Sequence, residues 1–142
     1  IDVLNVTIPP VNFHTTITMP SSYLQKIIRD MHNISEYIEI RNIEKSLILK
    51  CKGDFCSQET VLGSEKSQNI IISKQTDNIT ETESDQEIIQ GIFSLKYLLI
   101  FTKCTNLCPT VEIYLKNSYP IILRYTIASL GEIKLCLAQQ DI

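Results

Sequence analysis

Four cations carry most of the chemistry this sequence offers. Lys26 and Arg29 stand three residues apart in SSYLQKIIRDMHNI, and Lys96 and Lys103 stand seven apart in GIFSLKYLLIFTKCT. At about 100° per residue both spacings return to nearly the same side of an α-helix, so each pair projects from one helix face. Such faces suit ionic contact with a polyanion rather than covalent chemistry. The groups that could form or break bonds lack company. His14 and His32 are near no cysteine with a nucleophile signature, and there is no GxSxG, HExxH or Gly-rich phosphate loop among only four glycines. An enzyme is not expected, and a thiol enzyme using Cys104 or Cys108 with a histidine is the weaker rival reading.

The elements that must position those cations follow from periodicity. Residues 1–12 hold a Pro9-Pro10 pair and sparse apolar side chains, and read as an extended linker. Phe13–Met19 alternates as a half-buried strand, and Pro20-Ser21 ends it and caps the first helix. In that helix Tyr23, Leu24, Ile27, Ile28, Met31 and Ile34 form the apolar stripe, with Lys26 and Arg29 off it. Tyr37–Asn42, Ser46–Lys52 and Phe55–Leu62 read as a three-strand meander with turns at Ile43–Lys45 and Gly53-Asp54, and Asn69–Ser73 as a further strand. Glu87–Phe93 is then a strand and Ser94–Thr105 the second helix, with Leu95, Leu98, Phe101 and Thr102 turned to the sheet. Thr110–Lys116, Tyr119–Ile127 and Glu132–Ala138 close a second meander. A strand–helix–three-strand unit of about 60 residues thus occurs twice, which predicts an α+β domain with two helices on one face of antiparallel sheet.

Composition narrows the field. The chain has 142 residues, 44% hydrophobic and 20% charged, enough for one globular domain with its own core. Its net charge of −3 makes a bulk attraction to nucleic acid or anionic membrane unexpected, so polyanion contact must be local. The longest apolar run, Tyr97–Phe101, is too short to span a bilayer, and no targeting signal is visible. A start at Ile1 without methionine suggests a piece of something longer. Thr76–Asp85 holds four carboxylates but neither the ligand order nor the glycine of a Ca²⁺ loop, and reads as a solvated loop. Cys51, Cys56, Cys104, Cys108 and Cys136 do not have paired metal-ligand spacing, so no metal is expected and reduced thiols are the simpler reading. Glycosylation patterns at Asn5, Asn33 and Asn78 support an alternative: a secreted, glycosylated, disulfide-bonded binding domain.

Three blocks carry a family resemblance: DVLNVTIPPVNFHTTITMPSSYLQKIIRDM (residues 2–31), GIFSLKYLLIFTKCT (91–105) and YPIILRYTIASLGEIKLCLA (119–138). They resemble the C-terminal half of the eukaryotic-type DNA sliding clamps, the proliferating cell nuclear antigen (PCNA) family. The resemblance implies the DNA-clamp fold of duplicated βαβββ units, with helices lining the hole of a ring and sheets forming its wall. It makes residues 1–12 the later part of an interdomain connector and residues 13–142 the clamp's C-terminal domain, with the N-terminal clamp domain absent. The implied function is that of a polymerase processivity factor in replication and repair, in the nucleus or a viral replication compartment. The implied partners are duplex DNA held without regard to sequence, DNA polymerase and other proteins bearing short aromatic clamp-binding motifs, and the N-terminal domain and further subunits of a homotrimeric ring. No membrane or cofactor is implied.

Residue by residue, the resemblance puts Lys26, Arg29, Lys96 and Lys103 on the DNA-facing surface, with Leu99 and Asn33 where the family is more polar or basic. It assigns the partner-peptide groove to Val6, Ile8, Pro9 and Phe13 of the connector, Tyr119 and Pro120 of a nearby turn, and Leu137, Ala138, Gln139 and Gln140 of the tail, with Gln139 replacing a usual proline. It makes Phe55, Ser57, Glu59 and Val61 a subunit edge strand. Glu44, beside Lys45, falls where the family has a modified lysine, so no modification is expected there.

Overall fold

The computed structural model describes residues 15–43, 45–63, 70–74 and 89–140. The expected connector (1–12) with Val6, Ile8 and Pro9, together with Phe13, Glu44 and the expected loop Thr76–Asp85, lies outside the described residues. The elements run β1 (Thr15–Pro20), α1 (Ser21–His32), β2 (Tyr37–Ile43), β3 (Ser46–Lys52), β4 (Ser57–Gly63), β5 (Ile71–Lys74), β6 (Ile89–Ser94), α2 (Leu95–Phe101), β7 (Thr110–Leu115), β8 (Ile121–Ile127) and β9 (Gly131–Leu137). A 3₁₀ segment, Thr102–Asn106, continues α2.

The α+β class stands, and the antiparallel strands divide between two sheets, ordered β5-β1-β7-β8-β9 and β4-β3-β2-β6. Each repeat gives its first strand to the other repeat's meander. β1 pairs with β7 from Thr15↔Leu115 to Pro20↔Thr110, and β6 pairs with β2 from Tyr37↔Ser94 to Asn42↔Ile89. The seams match in detail: the Ser21 N–H donates to the Pro109 carbonyl at 2.9 Å, and the Leu95 N–H to the Glu36 carbonyl at 2.9 Å. Ser21 and Leu95 are the first residues of their helices, and Pro109 and Glu36 immediately precede the strands that the donated strands join. The duplication read from element order is therefore also a duplication of hydrogen bonding.

Alternation builds the core. β1 and β7 bury every second residue, including Ile17, Met19, Val111 and Ile113. From the helices, Leu24, Ile27, Ile28, Met31, Leu95 and Leu98 join one cluster with both sheets. Only about 10 Å³ of space remains where the helices meet Ile40, Leu47, Ile113 and Leu123, so the interior is close-packed. A buried polar tie crosses the sheets: the Thr15 hydroxyl donates to Asn42 Oδ1 at 2.9 Å and the Asn42 amide to the Ser46 carbonyl at 3.0 Å, with Thr15 and Asn42 both buried.

Four expectations are corrected. Tyr23 is 48% exposed rather than part of the stripe, because it sits at the stripe's margin and Leu24 and Ile27 fill the contact. Ser21 does not cap its own helix. It is the first helical residue, and its hydroxyl donates to the Cys108 carbonyl. Phe55 lies outside β4, wholly exposed in the turn that the Gly53 N–H closes onto the Cys56 carbonyl. Gly53 is fixed there because a Cβ would stand 2.2 Å from the Ile34 carbonyl oxygen. The second helix is α only to Phe101. Beyond it the Thr102 and Thr105 hydroxyls donate to the carbonyls three residues back, Leu99 and Thr102, as the turn tightens.

Tyr125 generates a pH prediction. It is fully buried, its hydroxyl close to the Thr105 hydroxyl and to the thiols of Cys104 and Cys108. Burial, then the nearby thiols of Cys104 and Cys108, push its phenol up to about 12 from an ordinary 10. A raised value means that the folded chain keeps the proton, so stability is full below pH 10 and is lost as pH climbs from 10 toward 12. Tyr114, raised to about 12 by burial and by its hydrogen bond to Glu112, acts in the same direction. Urea unfolding of Tyr125→Phe is expected to stay within about 1 kcal/mol of the parent at pH 8 and to lose less stability than the parent at pH 11.

Candidate nucleic-acid interface

Lys26 and Arg29 are exposed on α1, on the side away from Leu24, Ile28 and Met31. Lys96 is exposed in the first turn of α2, and Lys103 in the 3₁₀ segment. Because three-residue turns begin at Thr102, the 100° arithmetic that stacks Lys103 over Lys96 does not hold to its end, yet both side chains remain exposed. The helices adjoin and run antiparallel. The Thr105 hydroxyl reaches the Ser21 carbonyl at 3.4 Å and the Gln25 amide reaches the Thr102 carbonyl at 3.3 Å, so the start of α1 meets the end of the second helical segment. The expected pairs therefore belong to one two-helix layer. Of the other two residues expected on this face, Asn33 is exposed at the end of α1 and Leu99 is partly buried against the core.

Charge is arranged differently on the sheets. Arg124 bridges Glu112 at 3.7 Å and Glu132 at 3.2 Å, and Lys134 bridges Glu132 at 3.3 Å, so cations of the β7-β8-β9 surface are neutralised in a chain of pairs. Among the described residues, none of the four helix cations is in an ion pair. Lys45, Lys50, Lys52 and Lys116 are likewise in no ion pair among the described residues, so what sets the four apart is that they share one helix layer in a chain that is acidic as a whole.

The described half of the expected partner groove is brought together. Ile121↔Leu137 register sets the start of β8 beside the end of β9, so Tyr119 and Pro120 adjoin Leu137 and Ala138. The Gln139 amide donates to the Tyr119 carbonyl at 3.2 Å, and Lys116 Nζ lies 4.7 Å from the Tyr119 ring centre. The Gln140 N–H donates to the Ile92 carbonyl at 2.8 Å, carrying the tail from one sheet to the other. An open groove of about 530 Å³ lies there, lined by Glu39, Gly91, Ile92, Asn117, Ser118, Gln139 and Gln140. Reading the sequence did not single out Glu39, Gly91 and Asn117, because only the crossing of the tail to β6 makes them neighbours. Of the proposed edge strand, Ser57, Glu59 and Val61 are exposed on β4, which ends its sheet.

All five cysteines are free, Cys51 and Cys108 buried and the thiols of Cys51 and Cys136 raised by burial. No group of described residues could hold a metal ion, and no described helix is long and apolar enough to cross a membrane.

Duplicated βαβββ units that exchange first strands beneath a two-helix layer define a sliding-clamp type of domain. Residues 7–140 match the family described as proliferating cell nuclear antigen, C-terminal domain, and the chain belongs to that family. It is 35% identical over 142 residues to the "Probable DNA polymerase sliding clamp 1" of Paramecium bursaria Chlorella virus 1, covering 97% of this chain and 50% of the relative. It is 29% identical over 142 residues to the "Probable DNA polymerase sliding clamp" of Acanthamoeba polyphaga mimivirus, covering 99% of this chain and 28% of the relative. It is 31% identical over 138 residues to the "Proliferating cell nuclear antigen" of Chaetomium thermophilum, covering 97% and 51%. The chain thus spans about half the length of two of these relatives and less of the third. The family relation gives no support to the secreted, disulfide-bonded alternative.

Thr105 ties the layer that presents the cations. Replacing it with valine removes the hydroxyl whose one proton goes to the Thr102 carbonyl, with the Ser21 carbonyl 3.4 Å away, and is expected to cost about 1 kcal/mol. Backbone amide shifts of Thr105→Val should move at Thr102–Asn106 and the first turn of α1 and stay still in the β3–β4 hairpin.

Proposed function

We propose that this chain is the C-terminal half of a DNA sliding clamp, a processivity factor that holds duplex DNA without reading its sequence. One observation carries this reading beyond the family relation: Lys26, Arg29, Lys96 and Lys103 stand exposed on one two-helix layer, none of them in an ion pair among the described residues, while Arg124 and Lys134 of β8 and β9 are paired with carboxylates. Lys26, Arg29, Lys96 and Lys103 would contact phosphates, which are uniform along any duplex and so permit sliding. The role is tethering, not catalysis. An N-terminal domain and further subunits would complete a ring, and the viral and fungal relatives fit a nuclear or viral replication compartment. Polymerase and other partners with short aromatic motifs would dock where Tyr119, Pro120 and Leu137–Gln140 meet, with Val6, Ile8, Pro9 and Phe13 as the connector side of that groove.

Four phosphate contacts release few counterions, so the isolated chain is expected to bind duplex with a dissociation constant of roughly 10⁻⁴ M or weaker, and log K should fall with log salt at a slope of about −3.6. Fluorescence anisotropy at low salt measures both. The quadruple variant Lys26→Glu, Arg29→Glu, Lys96→Glu, Lys103→Glu should abolish binding, and unchanged binding would remove the helix layer as the interface.

The open edge at β4 generates a second expectation. β4 pairs on one side only among the described strands, and Ser57, Glu59 and Val61 would pair with a neighbouring subunit's N-terminal domain on the other. Without that domain, ultracentrifugation should find a monomer or an edge-paired dimer, and a trimer of this chain alone would contradict the assignment.

A further inference from the structure

The helix layer carries more than cations. The matched bonds Ser21 N–H to Pro109 and Leu95 N–H to Glu36 make Ser21 and Leu95 equivalent positions of the two repeats. Counting along each helix, Arg29 is then equivalent to Lys103, and Tyr23 to Tyr97. Both tyrosines are 48% exposed, and neither ring is spent on the core. Tyr23 lies one turn before Lys26, and Tyr97 follows Lys96 directly. Because the helices are antiparallel, the two rings stand toward opposite ends of the layer, with Lys26, Arg29 and Lys103 at levels between them and Lys96 one residue outside Tyr97. Ile100, also 48% exposed, sits on α2 one turn beyond Lys96, and Asp30 is an exposed carboxylate on α1.

Phosphates of an intact duplex have no use for a planar apolar ring, since paired bases keep their faces stacked inside the helix. Unpaired bases do. A cationic track flanked by exposed aromatic rings is the chemistry by which single strands are held, the backbone on the charges and the bases on the rings. Charge complementarity selects a polyanion, and the symmetric tyrosines select one whose bases are free. We infer that the helix layer also binds single-stranded nucleic acid, with bases stacked on Tyr23 and Tyr97 and neighbouring phosphates on Lys26, Arg29, Lys96 and Lys103. This rests on the helix layer being the nucleic-acid face, but adds a substrate that duplex tethering does not require. Such a face would favour a strand left unpaired beside a duplex over the duplex itself.

The chain has six tyrosines and no tryptophan, so tyrosine emission reports stacking directly. The test titrates oligothymidylate and a mixed-sequence duplex of matched phosphate number at the same low salt. Single strand is expected to bind about tenfold tighter than duplex and to quench tyrosine emission. Tyr23→Ala and Tyr97→Ala, at half-exposed positions, should each weaken single-strand binding about tenfold, the ratio of one base–ring stack, and leave duplex binding unchanged. Tyr23→Phe and Tyr97→Phe should restore it. Single strand bound no tighter than duplex, or an alanine pair that binds single strand like the parent, overturns the inference. Loss of both ligands on charge reversal, with no effect of the tyrosine variants, would leave the helix layer as a duplex face and remove only the stacking.

Discussion

The structure depends on a reciprocal loan of strands. Neither βαβββ unit keeps its first strand: β1 completes the meander of the second repeat and β6 that of the first. Had each unit folded upon itself, the chain would have been two small lobes joined by a tether, each with too little buried surface to stand alone. The exchange merges them into one core. It also sets the helices, because each helix begins at the residue after a donated strand, and that residue's N–H is bound to the partner repeat. Antiparallel helices are the outcome of this symmetry, as is the placement of cations on one layer.

Within that frame the polar ties are few and local. Thr15 and Asn42 fasten the two sheets at the ends of β1 and β2. Ser21, Thr102 and Thr105 fasten the helices, each hydroxyl giving its proton to a main-chain carbonyl that would otherwise be left over at a helix end or turn. These short side chains, rather than Coulombic pairs, hold the layer, which leaves its lysines and arginine uncommitted. Ion pairing is used instead on β7, β8 and β9, where cross-strand neighbours lie close enough to be matched.

Much of this was legible in the sequence because it is periodic. The alternation of Thr15–Met19 and Thr110–Leu115 and the stripe of Leu24, Ile27, Ile28 and Met31 identify core faces without reference to anything distant. What was not legible depends on contacts between segments far apart in the chain. Nothing near Thr15–Pro20 says that this strand belongs with Thr110–Leu115, so one sheet was expected where two formed. The 3₁₀ turn after Phe101 is set by threonine hydroxyls competing for main-chain acceptors, which a count of apolar spacing does not register. Phe55 looked like a strand residue by type, but the hairpin closes at Gly53 and Cys56 and leaves it in the turn. The exposure of the four cations was legible because exposure on a helix is itself periodic. The groove at Glu39, Gly91 and Asn117 was not, since it exists only where the tail crosses between sheets.

That crossing has a mechanical consequence. The tail leaves β9 in one sheet and places the Gln140 N–H on the Ile92 carbonyl of β6 in the other, over a glycine whose missing side chain makes room, since a Cβ on Gly91 would lie 3.1 Å from the Gln139 amide carbon and 2.9 Å from the Phe93 ring. The last described residues thus act as a stitch between the two sheets on the side remote in sequence from the Thr15–Asn42 tie. A force that peeled the tail from the surface would first break a single main-chain bond and free the edge of β6 while the core beneath stayed shut. Whatever grips this tail pulls on a seam that can open by one stitch without unravelling the fold.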